Sequence, residues 1–476
     1  MDTFHTDGLI IRDDYGRQRI FRGINICIKK SKVKNFKHLF DNNSKHFFEH
    51  IKPCGVNIVR FGITWAALEP HENEYNTELI EECKKFVKKC SESDIYVLLD
   101  MHQDLFADFN NFGDGAPKWA IEKGLKAKKP FAVWAEGYFY MNSVQKMFSN
   151  FWNNSDGIQD KFMRAWKHFA SQFNEFDNII GLDYFNEPYI DKNGRNVFLS
   201  IVKNVIKTTF NNDISPEKYF ERFSNDKIAF AVMALKIASI IKTPKRLKCL
   251  LKYMDDEDNF RTAINGLEEY THSFNSDYYQ SFIDKMDMLI GTDTFSFFEH
   301  NYYSNLGIPF NLSIKDNYIY SPHAYDIFID SPLYNKYSSD SRIKVILDSI
   351  RENQIKMNVP VIFGEWGGGG PLGGKWIEHI DYVMSIFEKY HWSSIYWGLQ
   401  FRDEKLVNIF NRPYPVAVCG DIKTIHTDSK KRIFTLEWEQ NSDFENSDKK
   451  TLIYVPEKDI VSYSGKTGMN KVEIKY

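Results

Sequence analysis

The sequence holds six cysteines, and no two of them stand in a CxxC pair. A disulfide framework is set aside for that reason, and Cys27, Cys54, Cys83, Cys90, Cys249 and Cys419 read as buried free thiols. No run reaches the roughly 18 apolar residues of a membrane span. The opening Met1-Asp2-Thr3-Phe4-His5-Thr6-Asp7-Gly8 has neither the basic nor the apolar region of a secretory signal. A soluble cytoplasmic protein is expected, or a secreted one if a signal has been removed. Charge of one sign is missing too: a formal net charge of −3 gives no case for nucleic acid or a strongly anionic membrane. There is no HExxH metal motif and no G-x-S-x-G nucleophile elbow. Gly373-Gly374-Lys375-Trp376 lacks the Ser or Thr of a phosphate-binding loop. The glycines at Gly367–Gly370 read either as close backbone approach to a ligand or as loop flexibility.

What is present is core-forming: 43% of the residues are hydrophobic and 16% aromatic. Eight β-type runs recur, roughly Ile20–Ile26, Val56–Ile63, Ile95–Met101, Ile179–Phe185, Thr294–Glu299, Tyr318–Ala324, Pro360–Gly364 and Ser394–Leu399. Most are separated by amphipathic stretches such as Thr77–Cys90 and Ser341–Lys356. Strands alternating with helices predict a parallel sheet, and eight units predict its closure into an α/β (β/α)₈ TIM barrel. Leu9–Arg17 reads as a hairpin closing the barrel's bottom. From about Asn411 the helices stop and period-two runs such as Ile433–Glu439 and Thr451–Val455 predict a small antiparallel β-sandwich. The expected organisation is a catalytic barrel over 1–410, with insertions at about 103–178 and 189–293, and a sandwich over 411–476. The second insertion reads as helical and charged, as in Ile228–Ile241 and Tyr278–Leu289. Long insertions after barrel strands project over the face that carries active sites.

Two glutamates end two of these runs: Glu187 in Asn186-Glu187-Pro188, and Glu365 in Gly364-Glu365-Trp366. Each is stopped at once by Pro or glycines, which places each carboxylate at a strand's C-terminal end. A retaining glycosidase needs such a pair, one carboxyl to give and take a proton and one carboxylate to attack the anomeric carbon from about 5–5.5 Å away. Either alone could be an ordinary strand-end glutamate capping a helix. Arg60, in Val59-Arg60-Phe61, is an inner-barrel cation that either holds Glu365 ionised or serves a structural salt bridge.

With these residues in place, the chain resembles glycoside hydrolase family 5. Asp100-Met101-His102-Gln103-Asp104, Gly113–Ala120, Phe151-Trp152-Asn153-Asn154 and Asn411–Gly420 are similar to the endoglycoceramidase branch, which cleaves the β-linkage between a glycan and ceramide. The resemblance runs from about Arg12 to Gly420 and is thin across Tyr189–Asp293. It implies Glu187 as acid/base and Glu365 as nucleophile. Asn186, His102 and Asp104 would hold sugar hydroxyls, Trp397 would stack under the ring, and His323 and Tyr325 would lie near the nucleophile. A tyrosine hydroxyl donating to Glu365 would keep that carboxylate ionised. The branch also places a lysine near Lys29–Lys34, in a register that fits Lys30 or Lys32.

His102 and Asp104 offer two metal ligands without a third, so neither a metal nor an organic cofactor is expected. The aromatics of the first insertion, Phe106, Phe109 and Trp134 foremost, are placed to line an apolar groove for a lipid tail. The expected partner is a glycolipid substrate, with transient contact at a membrane surface, and the sequence does not set an oligomeric state. Related intracellular enzymes act on glucosylceramide or steryl glucosides, which keeps a monoglycosyl-lipid hydrolase open. A family 5 endoglucanase and an inactive carbohydrate- or lipid-binding barrel are the other readings.

Overall fold

The computed structural model describes residues 1–29, 44–108, 112–127, 129–131, 133–191, 193–291, 294–329, 331, 334–368, 375–397, 407, 410–445 and 447–476. Lys30, Lys32, Phe109, Gly369, Gly370, Gly373 and Gly374 lie outside the described residues.

Eight parallel strands form the barrel: β1 Arg22–Ile28, β2 Ile58–Thr64, β3 Tyr96–His102, β4 Ile179–Asp183, β5 Phe295–Phe298, β6 in two pieces, β7 Ile362–Gly367 and β8 Ser393–Trp397. All eight expected runs carry a strand, with ends displaced by a few residues. The pieces of β6 are Tyr318–Tyr320, paired to β5, and His323–Ala324, paired to β7. Pro322 cannot donate to a ladder, so the strand breaks there. A bridge from Tyr320 to Val361 completes closure.

The period-two pattern of the strands divides the barrel interior into layers. Ile58, Leu98, Phe297 and Ile395 belong to one apolar cluster with Ile11 and Phe21. One pleat further along the same strands and the residues that end them stand Arg60, Asp100, Glu299 and Trp397. An apolar floor therefore supports a charged upper layer at the C-terminal ends.

The strands Phe4–Asp7 and Ile10–Asp13 pair antiparallel, and Met1 and Phe4 pack on the floor cluster. The hairpin closes the bottom as expected, but it has a second attachment. Through Gln18–Arg19 it joins a six-stranded sheet with Tyr414–Val418, Thr451–Val455 and Asp459–Tyr463. That sheet faces the three strands Asp421–Asp428, Ile433–Gln440 and Gly468–Lys475 across a core of Val416, Val418, Phe434, Leu436, Trp438 and Ile453. The C-terminal sandwich thus includes N-terminal strands, which ties the two ends of the chain together.

Cys54, Cys83, Cys90 and Cys419 are buried free thiols, and Cys83 and Cys90 share the inner face of helix Thr77–Ser91. Cys249 departs from the expectation: it is exposed, on a surface helix, and Cys27 is half-buried. The first insertion folds into helices Glu136–Tyr140, Asn142–Trp152 and Ile158–Ser171. The second is a helical cap, from Gly194–Phe210 through Gln280–Ile290. No helix among the described residues is long and apolar enough to cross a membrane.

Candidate active site

Glu187 follows β4 with a backbone φ of 44°, a left-handed conformation that a glutamate adopts only under constraint. The constraint is visible: the Glu187 amide donates to Glu299 Oε2 at 2.7 Å. Its side chain accepts from Asn305 Nδ2 at 3.2 Å, and His323 Nδ1 lies 3.1 Å from the same oxygen. Burial pushes the Glu187 carboxyl above the usual range, His323 pulls it down, and Glu365 and Glu299 add to the rise. Such a group holds its proton where an exposed glutamate would have lost it.

Glu365, near the end of β7, is held differently. Arg60 Nη1 donates to its Oε1 at 2.8 Å and the Tyr325 hydroxyl to its Oε2 at 2.9 Å. The two contacts engage both carboxylate oxygens and fix their orientation. Ligand-capable oxygens of Glu187 and Glu365 lie within 4.8 Å of one another, together with a nitrogen of His323. The two carboxyls therefore face one small volume with different preparation: one shielded so that it keeps a proton, one fixed by an arginine and a tyrosine hydroxyl.

Arg60 organises the upper layer. Its Nε donates to Asp183 Oδ2 at 2.9 Å, and its Nη2 donates to Asn186 Oδ1 and Glu299 Oε1, each at 2.9 Å. Asp100 Oδ1 is also 2.9 Å from Nη2. Burial opposes the guanidinium charge, but Asp100, Asp183, Glu299 and Glu365 outweigh it and hold Arg60 well above its ordinary pKa. One side chain thus serves both as structural ion pair and as the partner of Glu365.

His323 sits fully buried among three glutamates, its Nε2 3.1 Å from Glu299 Oε1 and its Nδ1 3.6 Å from Glu365 Oε2. Burial pulls the imidazole down, but Glu299 and Glu365, with the Glu187 hydrogen bond, raise it well above the usual value. Asn186 Nδ2 donates to the Gln103 carbonyl at 2.9 Å, which fixes the amide against the wall.

A second cluster lies beside the first. His102 stacks parallel to Trp397, with ring centroids 5.4 Å apart. The Lys29 ammonium binds Asp104 and lies 4.9 Å from the Trp397 ring centroid. Burial raises Asp104, but Lys29 and His102 prevail and hold it near about 2, whereas burial and Asp104 push Asp114 to about 7. Asp114 is the third convergent group that the sequence did not reveal beside His102 and Asp104. Lys29 Nζ, 3.9 Å from Asp114 Oδ2, brings a positive charge to the place a cation would need.

Both glutamates and many of their neighbours line one cavity of about 400 Å³. Its polar lining includes Lys29, His102, Asp104, Asn186, Glu187, Asn305, Tyr325, Glu365 and Trp397, all near strand ends or the loops after them. Its apolar lining includes Trp134 and Phe139 from the first insertion and Phe198, Ile201, Met254, Phe260 and Ile264 from the second.

Two sequence expectations need correction. Phe106 does not face a groove: it is 2% exposed and packs on Phe148 and Phe151, at centroid distances of 5.2 and 5.9 Å. Its left-handed backbone, with φ 72°, turns the ring inward. The apolar lining is also not the work of the first insertion alone, since the second supplies more of it than the first. Among the lysines, Lys29 reaches the site, while the expected Lys30 lies outside the described residues along with Phe109. Glu299, Asn305 and His300 were missed. His300 Nε2 lies 2.5 Å from Asn305 Oδ1, and burial lowers the imidazole to about 3, so a neutral histidine orients the amide that meets Glu187.

The family model for cellulase (glycosyl hydrolase family 5) matches residues 13–214 and 282–403, and that for the glycoside hydrolase family 5 C-terminal domain matches 412–474. The chain belongs to glycosyl hydrolase family 5. Among curated relatives, an endoglycoceramidase of Cyanea nozakii is 28% identical over 202 residues, covering 37% of this chain and 40% of that protein. An endoglycoceramidase of Hydra vulgaris is 29% identical over 203 residues, 37% of this chain and 38% of that protein. The matched region thus spans about two-fifths of those relatives' length. Endo-glycoceramidase II from Rhodococcus sp. has the same fold, with a TM-score of 0.67 at 21% identity over 98% of this chain and 99% of that one. Other structures of that enzyme are a ganglioside GM3 complex and a lactosyl-enzyme intermediate. The unmatched stretch 215–281 falls in the second insertion, where the sequence resemblance is thin.

Proposed function

We propose that this family 5 protein is a retaining β-glycosidase that hydrolyses the bond between a glycan and the ceramide of glycosphingolipids. The observation that carries the reading is a single cavity lined both by the Glu187–Glu365 pair and by apolar side chains of two insertions. A sugar polymer would need aromatic platforms along an open cleft; a glycolipid needs a polar pocket continuous with a greasy one. The named relatives support the same substrate class.

In the first step Glu365 attacks the anomeric carbon while Glu187 passes its proton to the leaving ceramide oxygen. In the second, Glu187 takes a proton from water, the water oxygen bonds to the anomeric carbon, and the Glu365 carboxylate leaves. Arg60 and Tyr325 disperse the nucleophile's charge before attack and receive it on release. Asn186, His102, Asp104 and Lys29 offer polar atoms to sugar hydroxyls, and Trp397 offers a ring face. No metal or organic cofactor enters either step.

The test is a panel of detergent-solubilised substrates: glucosylceramide, lactosylceramide, a ganglioside, a steryl glucoside and a cello-oligosaccharide. Release of ceramide together with an intact oligosaccharide is the expected result, and activity confined to the cello-oligosaccharide would sink the reading. Trp134→Ala supplies an internal contrast. Losing most of a buried indole contact costs about 2 kcal/mol, or roughly thirtyfold in KM for the lipid substrate. A soluble aryl glycoside, which leaves the groove empty, should keep its KM.

A further inference from the structure

The second insertion carries a helical pair that the catalytic account leaves unused. Helix Asp226–Ile241 is apolar on every face, with Lys236 the one charged side chain between Ile228 and Ile241. A helix of that kind belongs in an interior. Here Ile228 is 49% exposed and Leu235 70%. The next helix, Pro244–Met254, buries no residue at all, and its Leu247 is 44% exposed.

The charge of this pair is as unusual as its apolarity. No acidic side chain occurs between Asp226 and Asp255, while Lys242, Lys245, Arg246, Lys248 and Lys252 crowd the surface. The chain's net charge of −3 conceals this local excess. Arg246 is engaged within the fold, donating to the Ile240 carbonyl at 2.8 Å and lying 5.1 Å from the Phe210 ring. The exposed lysines around it are the groups available to a partner.

Position gives the third observation. An open apolar groove of about 450 Å³ runs along the first helix and is lined by Phe198, Met233 and Ile237 among others. Phe198 also lines the catalytic cavity, as does Met254 at the end of the second helix. The groove on the first helix therefore meets the apolar part of the active site at Phe198, and the second helix meets it at Met254.

We propose that helices Asp226–Ile241 and Pro244–Met254 dock the protein on an anionic lipid bilayer. Ile228, Leu235 and Leu247 enter the headgroup boundary, and Lys242, Lys245 and Lys248 meet lipid phosphates. The inference rests on the glycolipid reading in one respect: a substrate anchored in a bilayer must be drawn into the cavity from the surface on which the protein sits.

The test is co-sedimentation of the full chain with phosphatidylcholine vesicles, with and without phosphatidylserine, at physiological salt. Binding to the anionic vesicles is expected, together with a blue shift of an environment-sensitive dye on Cys249, the exposed thiol. Each basic side chain near such a surface is worth roughly fivefold in affinity, so Lys242→Gln/Lys245→Gln/Lys248→Gln should weaken binding at least about tenfold. Leu235→Gln should do so without loss of charge. Both variants should hydrolyse detergent-solubilised glycolipid at the wild-type rate and vesicle-embedded glycolipid more slowly. Equal sedimentation with both vesicle types, or unchanged binding by both variants, would overturn the proposal. So would a dimer of the chain that Leu235→Gln dissolves, because a second copy would then cover the surface. Vesicle binding without hydrolysis of any detergent-solubilised glycolipid would uphold the docking surface and refute the glycolipid reading alone.

Discussion

Glu365→Gln should lower turnover of every glycoside by at least about four orders of magnitude, because the proposed attacking carboxylate is gone. Glutamine keeps the shape and the Tyr325 contact but neither attacks nor stabilises developing positive charge. Glu187→Gln should behave differently. Loss of a general acid costs about 10²–10⁴-fold, but only where the departing oxygen needs a proton. The loss should therefore be large with a lipid-linked sugar and small in the first step with a nitrophenyl glycoside. The pH profile separates the two further. Burial raises the Glu187 pKa, so the basic limb of kcat/KM should lie above the usual glutamate value of about 4.3. That limb should vanish in Glu187→Gln. Equal losses on both leaving groups, with the basic limb intact, would assign the proton transfer elsewhere.

Arg60→Met is the second large effect, and it falls on stability before it reaches catalysis. Removing the guanidinium leaves Asp100, Asp183, Glu299 and Glu365 buried around an uncharged side chain. Breaking a buried ion pair on one side costs about 3–5 kcal/mol. Urea unfolding at neutral pH should show that loss as a lowered midpoint. Burial already raises the Asp183 carboxyl and Arg60 pulls it back, so without Arg60 its folded pKa moves further above the unfolded one. A carboxyl so raised costs stability as pH rises past its unfolded pKa, so the gap from wild type narrows as pH falls. A loss below about 1 kcal/mol at every pH would show that the upper layer does not depend on Arg60.

Much of this site was legible because barrel chemistry is written at strand ends. Glu187, Glu365, His102 and Trp397 each close or follow an apolar run, and the run's period fixes which way the residue points. Arg60 was visible as a charge inside an otherwise apolar strand. Glu299 has the same kind of position, at the end of Phe295–Phe298, but its role depends on the left-handed turn at Glu187, which no local pattern announces. Asn305 and His300 act through each other across a loop, so neither carries a signal alone. Lys29 was missed because several lysines follow β1 and its contact with Asp104 and Asp114 is set by a distant loop, which no local pattern announces.

The lipid-facing surface shows the opposite limit. Aromatic content pointed to the first insertion, yet Phe106, Phe148 and Phe151 pack on one another there, as aromatic clusters do once they can exclude water. The second insertion was set aside as helical and charged. It supplies Phe198, Ile201, Phe260 and Ile264 to the cavity because its helices return over the strand ends. Which face of a surface helix meets a cavity depends on tertiary packing, and periodicity gives only that it has a face.

The most direct test of the central claim is to trap the enzyme with a 2-deoxy-2-fluoro β-glycosyl fluoride and map the adduct by peptide mass spectrometry. The fluorine slows both steps, and the good leaving group lets the first proceed. The account predicts one sugar bonded to the peptide containing Glu365, with no adduct in Glu365→Gln. A sugar on any other residue, or a first-formed product of inverted configuration with no adduct, would contradict it.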